Sequence, residues 1–135
     1  AALGLSQIKR LDEIVKERNR LIARYKKKSG KLPLTFLANT KDTYSSVHLA
    51  IIRFNNKDNN FHRKIFNYFH KASIGVQIHY IPVHLQPYYQ NLGFKKGDFP
   101  AAELYSQNAL SLPLYVGLSN KDQDRVIQLL KKFFD

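Results

Sequence analysis

At 135 residues, with 44% hydrophobic content and no Cys, the chain has room for one packed domain and no means of disulfide or thiolate-zinc stapling. No apolar run is long enough to cross a bilayer and the first residues lack a signal-peptide layout, so no membrane partner and a cytoplasmic location are expected. The net charge of +12 is concentrated, since residues 1–31 hold ten Lys/Arg against three acids; this suits a solvated helix face and also permits an anionic partner.

The sequence contains no Met and opens on "AALGLSQ", which reads as helix with no capping residue before it. The expectation is a domain continuous with something larger. Ile8, Leu11, Val15, Ile22 and Tyr25 fall at helical spacing, with Lys9, Arg10, Lys16, Arg20, Arg24 and Lys27 on other faces, so residues 1–30 are predicted to form one long amphipathic helix. "LTFLAN" follows as a short edge strand. "VHLAIIRF", Val47 to Phe54, is continuously apolar and β-branched, as a buried central strand is. Asp58 or Asn59 is expected to cap a helix whose inner face is Phe61, Ile65, Phe69 and Ala72, with Gly75 as its C-cap.

"VQIHYI" is the next predicted strand, and Pro82 and Pro87 are expected to keep the following segment irregular. "FPAAELYSQNAL" reads as a short helix with Pro100 in its first turn, and "LSLPLY" as a strand whose proline suits an edge or an end. Ser119 and Asp122 make a capping-box-like start for a last helix facing inward through Val126, Leu129, Leu130 and Phe133. Three or four strands and several one-faced helices predict an α+β fold, a small, mostly antiparallel sheet covered by helices. Residues 31–135 form this domain and residues 1–30 the helix leading into it.

No complete catalytic constellation is present. His79 and His84 are five apart, but Pro82 lies between them and neither Cys nor a nearby carboxylate in sequence completes a ligand set, so no metal site is expected. Ser73 and Ser111 lack the Gly-flanked setting of a nucleophile, and the glycines are too scattered for a phosphate loop. The basic helix and "YKKKSGK" allow a second reading, a nucleic-acid-binding module with Tyr25, Tyr88 or Tyr89 stacking on bases. Against nucleic acid stands the absence of any regular interleaving of lysines with aromatics. His79 has two readings of equal weight: a space-filling residue at a sheet edge, or a side chain that the strand delivers, with Tyr80, to a cleft faced also by His84 and Tyr88.

"AALGLSQIKRLDEIVKERNRLIARY", "GVQIHYIPVHLQPYYQNLGFKKGDFPAAE" and "LSLPLYVGLSNKDQDRVIQLL" resemble, in order and spacing, the C-terminal third of the DegT family of nucleotide-sugar aminotransferases. The most specific piece is "HYIPVHLQPYY" followed by "FPAAE". The resemblance implies the small domain of a fold-type-I enzyme, a homodimer using pyridoxal 5'-phosphate to move an amino group from glutamate to a UDP-linked 4-keto-6-deoxy sugar, as in pseudaminic acid biosynthesis. It implies substrate contacts at His79, Tyr80, His84 and Tyr88. The family's Ser-x-His-x-x-Lys motif and the Asp that pairs with the pyridine nitrogen are not in this sequence. The chain alone is therefore expected to bind no cofactor, to carry no catalytic residue and to be inactive. "KKGDF" is expected to be a turn.

Overall fold

The computed structural model describes residues 2–38, 40, 42–55, 58 and 60–135. Its elements run α1 (Ala2–Ile8), α2 (Leu11–Ser29), β1 (Leu34–Phe36), β2 (Ala50–Phe54), α3 (Phe61–Lys71), β3 (Gln77–Ile78), a 3₁₀ turn (Val83–Leu85), α4 (Pro87–Asn91), α5 (Pro100–Asn108), β4 (Ala109–Leu112) and α6 (Asn120–Phe134). They divide into two units, Ala1–Leu32 with Ala38–Ala50 and Pro113–Asp135, and Pro33–Leu37 with Ile51–Leu112. The fold class is α+β with a small antiparallel sheet.

In the first unit the helix expected over residues 1–30 is two helices. Arg10 donates its N–H to the Gln7 carbonyl, three residues back, at 3.0 Å, and leaves helical geometry at φ −111° and ψ 8°. Every described residue of α1 is exposed, Leu3 and Leu5 included. α2 carries Asp12 and Glu13 in its first turn and Lys26, Lys27 and Lys28 in its last, each sign at the end the helix dipole favours. It stops at Gly30, whose φ of 56° lies in the left-handed region glycine enters freely.

The face α2 buries is Leu21, Tyr25 and Ser29; of the expected stripe Tyr25 is buried, Val15 and Ile22 are half-buried, and Ile8 and Leu11 are exposed. Tertiary partners select it. Gln123 of α6, itself fully buried, donates its Nε2 to the Leu21 carbonyl at 2.7 Å, and the Tyr25 hydroxyl donates to the Pro113 carbonyl at 2.9 Å. Burial pushes the Tyr25 phenol well above its ordinary pKa. Arg24 and Lys28 both reach Asp124, at 2.7 and 2.6 Å. α6 starts as expected: the Ser119 hydroxyl accepts the Asp122 N–H at 3.1 Å. Its buried face is Gln123, Val126, Ile127 and Leu130, whereas Leu129 and Phe133 stay partly exposed.

The sheet belongs largely to the second unit and has the order β1-β2-β4-β3. β2 is interior, as its apolar run predicts, and pairs with β1 in the register Leu34↔Phe54, Thr35↔Arg53, Phe36↔Ile52. α3 lies against β4 and buries Phe61, Ile65 and Phe69. At its start the N-cap is Asn60, without a side-chain capping bond, and not the expected Asp58, whose carboxylate accepts the Asn60 N–H at 2.8 Å; Asn59, the other expected cap, lies outside the described residues. At its end Ser73, not Gly75, takes the left-handed conformation, at φ 56°. The Ile74 N–H then returns to the Phe69 carbonyl at 3.0 Å and closes the helix two residues before the glycine. β4 ends at Leu112 because Pro113 supplies no donor for a further rung.

Candidate functional site

The site is built on β3 and the residues after it. The strand expected to cover "VQIHYI" pairs only at Gln77↔Ser111 and Ile78↔Leu110. In this register His79 faces Ala109, the first residue of β4, and Tyr80 faces Asn108, the end of α5, where helical backbone offers no rung. His79 and Tyr80 leave the sheet beside α5. Their rings are 4.2 Å apart, and His79 lies 6.2 Å from the Tyr105 ring of α5.

His79 is half-buried, with Nδ1 3.3 Å from the Ser111 hydroxyl, while its Nε2 has no hydrogen-bond partner among the described residues. Partial burial lowers its pKa below 6.5 and favours the neutral ring. Tyr80 is 59% exposed. Arg53 also contacts Tyr105, its guanidinium carbon 5.5 Å from the ring centroid.

The segment from Pro82 onward is regular where irregularity was expected. Pro82 precedes the 3₁₀ turn, and Pro87 occupies the first turn of α4, where its missing N–H costs nothing and its fixed φ suits a helix. His84 is buried at 7% exposure, and its Nε2–H donates to Glu103 Oε1 at 3.0 Å. The same oxygen accepts the Gly97 N–H at 2.7 Å. "KKGDF" is a turn, with the Asp98 carboxylate accepting the Lys95 N–H at 2.9 Å and Gly97 at φ 98°. It is also one half of a clasp. The Gly97 N–H, and after it His84, hold the Glu103 carboxyl below the ordinary carboxylate range.

From His84 a series of rings runs to Phe99 at 4.8 Å, Phe94 at 6.1 Å, Tyr89 at 6.3 Å and Tyr88 at 5.3 Å. Tyr88 ends it, 69% exposed. The structure thus joins His79 to Tyr80 directly and His84 to Tyr88 through three other rings. Among the described residues no hydrogen bond or ring contact links the two pairs.

Glu103 and Arg53 are the residues sequence reasoning passed over. A carboxylate four residues into "FPAAE" looks like first-turn helix charge, and an Arg inside an apolar strand looks like its exposed face. The one signal available was Glu103 following a glycine turn. Beside His79 stand Tyr80, Tyr105, Arg53 and Ser111, with neither an amine nor a carboxylate among them. These residues do not fit pyridoxal phosphate, which needs a lysine nitrogen and a carboxylate for its pyridine ring. What they offer instead is hydrogen-bond donors and apolar ring faces, suited to a polyhydroxylated or phosphorylated ligand.

The sequence profile of the DegT/DnrJ/EryC1/StrS aminotransferase family matches residues 1–131. The spore coat polysaccharide biosynthesis protein SpsC of Bacillus subtilis is 37% identical over 97% of this chain and 35% of its own length. Among solved structures, Spr1654 of Streptococcus pneumoniae superposes with a TM-score of 0.90 at 31% identity, covering 96% of this chain and 33% of that one. It is known in apo, PLP and PMP forms. PseC of Helicobacter pylori, an aminotransferase involved in pseudaminic acid biosynthesis, superposes with a TM-score of 0.88 at 28% identity, over 98% of this chain and 36% of its own. The chain spans about a third of the length of the relatives it matches. With the profile running through both units and through the whole segment from His79 to Glu103, the chain belongs to the DegT/DnrJ/EryC1/StrS aminotransferase family.

Proposed function

We propose that the chain is the C-terminal, substrate-facing part of a pyridoxal-phosphate-dependent transaminase that moves an amino group from glutamate to a UDP-linked 4-keto-6-deoxy sugar. The reaction is that of UDP-4-amino-4,6-dideoxy-N-acetyl-β-L-altrosamine transaminase, on a route to pseudaminic acid or a related glycan, and the working enzyme is a homodimer. Residues 31–135 are the small domain. Residues 1–30 lead to the larger domain that anchors the cofactor, a reading supported by the uncovered Leu3, Leu5 and Ile8. By itself the chain has no lysine in the anchoring context and is inactive.

The observation that carries this reading is the presentation of His79 and Tyr80: two adjacent rings off the end of a sheet ladder, one with a ring nitrogen that has no partner among the described residues and the other well exposed. Tyr88 adds a third exposed ring. His84 has committed Nε2 to Glu103, so its contact with substrate is through Nδ1 or through the ring face.

The test uses the polypeptide in which this chain is joined to its family's large domain. His79→Ala should raise KM for the nucleotide sugar with kcat little changed, as loss of uniform binding does. A neutral hydrogen bond is worth about 0.5–1.5 kcal/mol and one to a charged group about 1.5–3 kcal/mol, so KM rises between a few-fold and about a hundredfold. KM for glutamate should not move. Unchanged sugar kinetics together with a lowered Tm would return His79 to a space-filling role.

A further inference from the structure

We propose that Arg53, Tyr105 and His79 form an anion-accepting corner that takes the diphosphate of the nucleotide sugar, with Arg53 as its charged centre; this rests on the function proposed above.

The first ground is where Arg53 stands. It is the one exposed residue of β2, between buried Ile52 and Phe54, on an interior strand of the sheet. Elsewhere in the chain Arg20, Arg24, Lys28 and Lys64 each sit on a carboxylate. Arg53 has no ion pair or hydrogen bond among the described residues. The second unit contains three acids, and all are engaged elsewhere: Asp58 with Lys64 and the Asn60 N–H, Asp98 with the Lys95 N–H, and Glu103 with His84 and Gly97.

The second ground is what holds it. Tyr105 supports the guanidinium by its ring face, a contact that orients the cation and uses none of its five N–H donors. A carboxylate partner would have occupied that fork; a π face leaves it open for the paired oxygens of a phosphate. The third ground is His79, on the same Tyr105 ring, whose Nε2 has no partner among the described residues. In the tautomer in which the Ser111 hydroxyl donates to Nδ1, Nε2 carries the proton and is a second donor on the same tyrosine. An open guanidinium and an imidazole N–H on one tyrosine, with no acid in attendance, suit a dianionic group better than sugar hydroxyls alone.

The test uses the 135-residue chain, labelled for nuclear magnetic resonance and titrated with inorganic pyrophosphate, then with UDP and a UDP-sugar. Expected are saturable shifts of the Arg53 side-chain N–H and the His79 ring for all three ligands. Arg53→Gln should weaken each by about tenfold or more, as loss of a charge-assisted contact does, and Arg53→Lys by less. Tyr105→Phe should bind normally, whereas Tyr105→Leu, which removes the platform, should not. UDP-sugar binding that is unaltered in Arg53→Gln overturns this inference and leaves the function standing. Pyrophosphate bound at Arg53, with no keto-sugar aminated by the complete polypeptide, does the reverse. No response at Arg53 or His79 at millimolar pyrophosphate also overturns it.

Discussion

Glu103 gathers two chain segments at one oxygen, the Gly97 turn and the His84 turn, and it does so buried at 7% exposure. Its carboxyl is held below the ordinary glutamate value of 4.5, so the charged form is the one the fold prefers. A group with a depressed folded pKa contributes stability that is complete above its unfolded pKa and disappears as pH falls through the folded one. Thermal unfolding followed against pH should therefore show Tm falling below about pH 4.5, and Glu103→Gln should flatten that limb and lower Tm at neutrality. Curves that stay parallel would show that the clasp has no energetic role. His79 and His62 place an earlier step on the acid side. Burial lowers both below 6.5, so their contribution is lost as pH drops under that value, and Glu103→Gln should leave this step in place.

Ser73 is a residue-scale flaw with a simple remedy. Its φ of 56° costs an L side chain about 1–2 kcal/mol, against about 0.5–1 kcal/mol of extra unfolded-state entropy that glycine brings. Ser73→Gly should stabilise the chain by about 0.5–1 kcal/mol, read as a higher midpoint in urea at unchanged m. A lower midpoint would mean that the exposed Ser73 side chain contributes something its position does not suggest.

At the scale of elements, α2 and α6 are joined across their contact by one buried amide. Gln123 gives Nε2 to the Leu21 carbonyl and accepts Arg24 at 3.0 Å, while Arg24 also holds Asp124. Gln123→Leu keeps the volume and removes both hydrogen bonds. It should cost about 1–2 kcal/mol, several degrees of Tm, because burial leaves no water to replace them. If the variant is as stable as the parent, packing and not the amide joins the two helices. β3 makes the complementary point. Its last rung is at Leu110, and the end of α5 at Asn108 leaves Tyr80 no strand residue to pair with.

For the molecule as a whole, the +12 charge invites a polyanion. In the first unit much of the basic face is already occupied: Arg20 on Glu17, Arg24 and Lys28 on Asp124, and Arg18 on the Val47 carbonyl at 3.4 Å. Oligonucleotide binding should accordingly be weak, indifferent to sequence and steeply lost with added salt. Tight binding that survives physiological salt would favour a nucleic-acid module over the function proposed here. Among the described residues no helix is long and apolar enough to cross a membrane.

Local chemistry determined what depends on near neighbours. The apolar run that becomes β2, the Ser119 cap of α6, Pro100 in the first turn of α5 and the family's motif spacing are all legible without a fold, because each is written within a few consecutive residues. What only tertiary structure decided depends on partners far along the chain. Leu21 is buried in place of Ile8 and Leu11 because α6 lies a hundred residues away in sequence and covers that face. The prolines of the loop start turns by their own chemistry, but that the 3₁₀ turn is buried and held follows from His84 meeting Glu103, nineteen residues on. Arg53 stands open because a tyrosine from a distant helix, and not an acid, is what the fold brought to it. Periodicity reports which face of an element is apolar; it carries no information about which other element arrives, and that arrival set the site.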